Sequence, residues 1–203
     1  MVTSQARLRT RELIDAGLGF VAVSEDESSI TMEGDYSLFA EHDGVLLAED
    51  YRLRIAVPRD YPNAIPAVFE ISNLIPSDYE HKYENGALCL GVDGEIAASI
   101  ANDGSLVRFL DCFVRDALYS AKYFYRFGKY PFGERKHGES GILAYYAEVF
   151  SVDEAKALAM LECLAKKRYR GHLPCPCGSG IKSKYCHGPE MLNIVQNPAR
   201  QLA

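Results

Sequence analysis

Residues 55–91, IAVPRDYPNAIPAVFEISNLIPSDYEHKYENGALCLG, are the stretch whose reading decides the fold. The stretch begins inside an alternating run. Tyr51, Leu53, Ile55 and Val57 are apolar, with Arg52, Arg54 and Ala56 between them. That period of two predicts a strand with one buried face. Pro58, Pro62 and Pro66 then punctuate a turn-rich passage before a second extended run over 66–72. Beyond it the periodicity disappears and turn residues accumulate, so 73–104 reads as one long loop. Long loops in compact domains often carry function. Inside this one, Asn85-Gly86 marks a turn ahead of Leu88-Cys89-Leu90-Gly91. Glycine on both sides of Cys89 lets the backbone bend tightly and leaves space for an approaching partner.

Working outward, residues 3–16 read as a helix, with Leu8, Leu13 and Ile14 as a thin apolar stripe and Gly17 as its stop. Four strands follow at 20–24, 30–40, 46–57 and 66–72, and His42-Asp43-Gly44 is a hairpin signal. A helix is predicted over 105–126. Its residues Leu106, Leu110, Phe113 and Ala117 are expected to pack on Leu53, Ile55 and Val68. Tyr130-Pro131-Phe132-Gly133 breaks that helix. Two more helices are expected, at 139–150 and from the capping box Ser151-Val152-Asp153-Glu154 to about Arg168, the last with Leu158, Leu161 and Leu164 buried. A helix, a four-stranded antiparallel meander and further helices make an α+β fold. The expected division is a core at 1–128, a helical extension at 129–170, a knuckle at 171–190 and a tail at 191–203.

Composition narrows the partners. A hydrophobic content of 48% supports a packed core, and 203 residues suffice for one medium domain plus an appendage. Twenty-eight acidic against 22 basic residues, net −6, argue against nucleic acid, which needs a basic face. Apolar runs such as 44–48 are far too short to span a bilayer, and no signal-peptide core is seen near Met1. Cys89, Cys112 and Cys163 are scattered and expected to be reduced, as in a cytoplasmic protein.

The remaining cysteines are ordered. Cys175, Cys177, Cys186 and His187 form a Cys-x-Cys-x8-Cys-His array. Three thiolates and one imidazole suit tetrahedral zinc, and Gly178-Ser179-Gly180 lets the chain return around one ion. So short a segment builds no apolar core of its own. Metal is therefore expected to supply its folding energy, on the order of 10–16 kcal/mol. Four protein ligands leave no open position, so the zinc is expected to be structural; His172 lies nearby but is not needed. The run Pro174-Cys175-Pro176-Cys177-Gly178-Ser179-Gly180 resembles the zinc motif (SEC-C) at the C-terminus of the bacterial SecA translocation ATPase, which also occurs as a tail on many bacterial proteins. The resemblance implies a bacterial source and a knuckle that docks protein partners, with Lys182 and Lys184 as surface contacts.

The order Tyr61-Pro62-x-x-x-Pro66, then His81, then Gly86-x-Leu88-Cys89-Leu90 resembles the ubiquitin-conjugating enzymes. As a layout the resemblance covers about residues 3–125. It implies a ubiquitin-conjugating-like fold in which Cys89 carries a ubiquitin-like protein as a thioester. An activating enzyme would charge Cys89, and an amine or other nucleophile on a protein target would receive the acyl group. The resemblance further implies a small conjugation system, many of which serve antiphage defence. His81 matches the family's His-Pro-Asn histidine, but Lys82 and Tyr83 replace the proline and asparagine, and the spacing to Cys89 is shorter. Asn85 is the substitute candidate for the oxyanion donor. Asp93, Glu95 and Asp103 fall where the family gates the incoming lysine, Asp103 first; Asp103 also reads as a helix N-cap. His137, in a Gly- and acid-rich turn, is a candidate base. Other readings stay open: a small buried cysteine in an inactive adaptor of the same fold, or a cysteine hydrolase using Cys89 with His81 or His137.

Overall fold

The computed structural model describes residues 4–132 and 138–196. The chain forms two compact units, one comprising Met1–Gly91 with Ser99–Glu134, the other Val92–Ala98 with Arg135–Ala203. The division falls later than residue 128, and the helical extension and the knuckle belong to one unit rather than two.

The first unit is built on an antiparallel meander: β1 (Val21–Glu25), β2 (Ser29–His42), β3 (Val45–Pro58) and β4 (Ala67–Glu70), in spatial order β1-β2-β3-β4. β2 and β3 pair along their whole length, from Ser29 opposite Pro58 to His42 opposite Val45. The two residues between them, Asp43 and Gly44, have φ of 48° and 76°. Both central residues of a type I′ turn need positive φ, and Asp-Gly supplies it. Alternation then sets the faces. Leu53, Ile55 and Val57 of β3 are buried, as are Met32 of β2 and Val68 of β4. On the opposite face Arg54 pairs with Glu33 at 2.8 Å and Arg52 with Asp35 at 3.0 Å. Exposed pairs of this kind add little stability. At Gly34 a Cβ would stand 2.8 Å from the Phe20 Cα and the Gly19 carbonyl, so glycine allows the chain entering β1 to close on β2.

Helix α1 (Gln5–Asp15) is capped by the Ser4 hydroxyl, which accepts from the Arg7 amide. Its buried residues are Ala6, Thr10 and Leu13, whereas Leu8 and Ile14 are 43% and 40% exposed. The expected Leu8–Leu13–Ile14 stripe is thus corrected. The face at spacing i, i+4, i+7 runs through small residues that hydropathy undervalues.

The helix expected over 105–126 comprises three pieces. These are α3 (Leu106–Phe109), a π turn (Leu110–Val114) and α4 (Arg115–Phe127). The wider turn rotates the buried face. Leu106, Leu110, Val114, Leu118 and Ala121 are buried, while Phe113 and Ala117 are only half-buried. α4 packs on β2 and β3, and Gly128 ends it in the left-handed region at φ 67°.

The stretch 73–104 is not all loop. Asp93–Asp103 form a helix, α2, with Asp93 and Glu95 in its first turn. Its Ala-Ala-Ser centre has weak amphipathic contrast, so periodicity did not reveal it.

The second unit holds α5 (Gly138–Phe150), α6 (Glu154–Ala165), a single 3₁₀ turn (Ser183–Tyr185) and α7 (Gly188–Gln196). The N-cap of α6 is Asp153, whose carboxylate accepts from the Lys156 amide at 2.9 Å; Ser151, expected there, sits before it at φ 53°. Ala157 and Met160 are buried, Leu161 and Leu164 half-buried, and Leu158 is 48% exposed. α7 occupies much of what was expected to be a tail. Tyr146, Phe150, Met160, Met191 and Ile194 share one core with Cys175 and Cys177, so the knuckle has an apolar core after all, lent by the helices around it. Among the described residues no helix is long and apolar enough to cross a membrane.

Candidate functional site

The segment carrying Cys89 is a narrow hairpin. The Leu88 amide donates to the Val68 carbonyl at 2.7 Å, which ties the segment to β4. Lys82 and Leu88 pair antiparallel, the Tyr83 amide donates to the Ala87 carbonyl, and the Cys89 amide donates to the His81 carbonyl, the last two at 2.8 Å. Asn85 and Gly86 make the tip. Asn85 Oδ1 accepts from the Ala87 amide at 3.0 Å and Gly86 takes φ 85°. The Asx-type bond and the left-handed glycine are the reason Asn-Gly turns the chain here. The approach to this hairpin is also pinned. Buried Glu70 accepts from the amides of Ser72 and Ile75, and Lys82 Nζ donates to the Ile75 carbonyl at 2.6 Å.

Two expected site residues are therefore backbone partners: His81 and Cys89 sit opposite each other on the hairpin strands. Cys89 is partly exposed. The His81 ring lies 5.4 Å from that of Tyr79 and 4.8 Å from that of Tyr130, the latter edge-on at 82°. Tyr130 in turn stacks on Phe124 of α4 at 4.8 Å and 14°, and its hydroxyl donates to Glu80. Burial first, then the Glu80 carboxylate, push the Tyr130 phenol above its ordinary range, so it stays a protonated donor. Burial likewise raises Tyr79.

The other expected residues have different posts. Asn85 is at the tip, with its oxygen committed to the turn. Asp103 ends α2 and accepts from the Ser105 amide at 2.8 Å and from Arg108 at 3.3 Å. The N-cap of α3 is Ser105, not Asp103. Asp93 and Glu95 lie in the first turn of α2, which belongs to the second unit. His137 lies outside the described residues. Cys112 is exposed in the π turn, and Cys163 is half-buried in α6. Tyr79, Glu80 and Tyr130 were missed, because Tyr130 was legible only as part of a helix-breaking Tyr-Pro.

The second cluster lies in the knuckle. The Cys175 amide donates to the Ile181 carbonyl at 2.7 Å, and Pro174 pairs with Lys182. Gly178 and Gly180, at φ 82° and 74°, turn the chain back as the Gly-Ser-Gly run implied. The 3₁₀ turn then delivers Cys186 and His187 to the cysteines. One donor atom from each of Cys175, Cys177, Cys186 and His187 lies within 4.8 Å of the others. Cys177 and Cys186 Sγ are 3.6 Å apart, and His187 Nδ1 is 3.5 Å from Cys175 Sγ and 3.2 Å from Cys186 Sγ. A tetrahedral ion about 2.3 Å from sulfur and 2.0–2.1 Å from nitrogen would space its ligands by about 3.8 Å and 3.5 Å respectively. The four residues fit a metal ion. Burial raises the Cys175 thiol. It acts the same way on Cys177, where hydrogen bonds from the Ser179 hydroxyl and amide outweigh it and hold the thiol below its ordinary value. The Ser179 hydroxyl also lies 3.4 Å from Cys186 Sγ. Lys182 and Lys184 are exposed, with Lys184 over the Tyr185 ring at 4.6 Å.

Comparison with known proteins assigns residues 173–189 to the SEC-C motif. No curated protein and no solved structure matches the chain.

Proposed function

We propose that this chain is a bacterial ubiquitin-conjugating-type carrier, with Cys89 as the acceptor thiol and a structural zinc ion in the knuckle. The observation that carries the reading is the Cys89–His81 pairing: a partly exposed thiol on a hairpin bonded to the last strand of a four-stranded meander, with an imidazole opposite. In the first step the Cys89 sulfur attacks the thioester carbonyl of the incoming acyl protein. The donor's sulfur leaves and takes up the proton that Cys89 loses. In the second, an amine adds to the Cys89 thioester, the carbonyl oxygen becomes an oxyanion, and the sulfur departs as the amide forms. The amine's proton returns the thiol. A donor near that oxygen typically contributes a factor of about 10² to 10³. We assign that donor role to His81, which the resemblance matches and whose backbone lies opposite Cys89. Zinc suits the three-thiolate, one-imidazole set, and with four protein ligands it has no open position for chemistry.

The test is made in the native cell. Wild type should carry a protein-sized adduct that thiols remove, Cys89→Ser one that thiols leave intact, and Cys89→Ala none. An adduct that persists in Cys89→Ala, or none in either of the other two, ends the carrier reading. One observation favours a second reading, an adaptor of the same fold. Asn85 and Asp103, two of the expected transfer residues, are engaged by their own backbone turns. Full cellular function of Cys89→Ala would select it.

A further inference from the structure

We propose that Tyr130 is a positioning residue of the Cys89 centre: it fixes the His81 ring, and through it the hairpin strand that faces Cys89. The proposal rests on the reading of Cys89 as a carrier thiol. Three contacts meet on this one side chain. Its ring edge meets His81 at 4.8 Å, its face stacks on Phe124 at 4.8 Å, and its hydroxyl donates to Glu80. Each closes off a different freedom. The stack ties the phenol to α4, which packs on β2 and β3. The Glu80 bond fixes its rotation and pulls it onto the residue preceding His81. The edge contact then limits the tilt of the imidazole, with Tyr79 on another side at 5.4 Å.

The hairpin alone does not do this. Its backbone hydrogen bonds hold the His81 main chain to Cys89 and do not by themselves set the ring torsions. A donor aimed at a transient oxyanion depends on its orientation, and small misplacements cost rate steeply. Tyr130 is well suited because its phenol stays protonated and so remains the donor toward Glu80. It touches no reacting atom, so its effect must appear in transfer and not in the binding of the amine.

The test uses the full chain with Cys112→Ala, which removes an exposed thiol that is no part of the proposed machinery. Cys89 is acylated with the 2-mercaptoethanesulfonate thioester of N-acetylglycylglycine, which releases the free sulfonate thiol. The site is located by peptide mass. Discharge to L-lysine is followed by intact mass over a range of lysine concentrations. Tyr130→Ala should slow the limiting rate about 10-fold and leave the half-saturating lysine concentration unchanged. Tyr130→Phe should recover about half of that loss on a logarithmic scale, because the ring remains. Glu80→Ala and Tyr130→Phe should each slow discharge about threefold, and the double variant no further, since each removes the same hydrogen bond. That pair decides the matter even where Tyr130→Ala fails to fold. Wild-type rates in Tyr130→Ala, or in both single variants when Tyr130→Ala is unfolded, overturn the role of Tyr130 and leave the carrier reading intact. Discharge from wild type no faster than from urea-unfolded protein overturns the carrier reading and the role of Tyr130 together.

Discussion

Removing the metal from the knuckle should unfold α5, α6 and α7 and leave the sheet unit standing. The knuckle cysteines are not appended to a finished domain. Cys175 and Cys177 are 3% and 6% exposed and lie in one core with Tyr146, Phe150, Met160, Met191 and Ile194. That core is small, and a unit of this size rarely draws more than about 3–5 kcal/mol from apolar burial alone. A structural zinc of this kind contributes on the order of 10–16 kcal/mol. The metal term is the larger, so its loss exceeds what the helices can hold. Three thiols left without metal in a partly buried cluster add a further cost. The assay is titration with a strong chelator, followed by far-ultraviolet circular dichroism, elemental analysis and segment-resolved hydrogen exchange. One zinc per chain should be released. Helical signal should fall, since α5, α6 and α7 span 13, 12 and 9 residues. Protection should vanish over 142–196 and persist in β2 and β3. Intact protection in α5 and α6 after complete metal loss would refute the shared-core argument. Collapse of β2 and β3 at the same chelator concentration would refute the independence of the sheet unit.

Three further outcomes are expected. Leu118→Ala, at a fully buried position of α4, should lower the urea-unfolding free energy of the sheet unit by about 2–5 kcal/mol; a loss below 1 kcal/mol would mean that the π turn does not aim this face at the sheet. Gly34→Ala should cost about 1–3 kcal/mol, because its methyl meets backbone at 2.8 Å; unchanged stability would show that the chain entering β1 can move aside. Asn85→Ala removes the bond to the Ala87 amide and should speed amide exchange at Ala87 and Cys89 about fivefold, as expected for a hydrogen bond worth about 1 kcal/mol; unchanged exchange at Cys89 would separate the tip from the Cys89–His81 register.

The sheet was legible because its signals are local. Alternation in 51–57 names the buried face, and Asp43-Gly44 names the turn and therefore the register, which runs unbroken to Ser29 and Pro58. The metal ligands were legible for a similar reason, since spacing alone brings four donors to one point. Helix faces were less so. Alpha1 buries Ala6 and Thr10, and α6 buries Ala157, all small residues that a search for leucines passes over. Leu158, read as core, is exposed, because the buried face of α6 is centred on Ala157 and Met160. Near π turn 110–114 the error was one of phase: a wider turn cannot be seen in a pattern analysed at 3.6 residues. Helix α2 hid in a run of small residues with little contrast between its faces.

The Cys89 centre combines both cases. Asn85-Gly86 gave the tip but not the register: a two-residue turn there would set Lys82 opposite Cys89, whereas the structure sets Lys82 opposite Leu88 and His81 opposite Cys89. The tip is a local signal. What surrounds His81 is not, because Tyr130 arrives from beyond the end of α4, about 50 residues on, and only the packing of α4 on the sheet brings it there. A residue of this kind leaves no periodic trace: its sequence neighbours, Lys129 and Pro131, record only that a helix has stopped. The same absence of local signal makes it informative. A tyrosine kept protonated by burial, bonded to a carboxylate and edge-on to an imidazole has few structural reasons to combine all three contacts. An apolar phenylalanine would fill the same space on Phe124 and give up the bond to Glu80. In the proposed role the hydroxyl holds the angle of the ring, and the His81 edge contact passes that angle on.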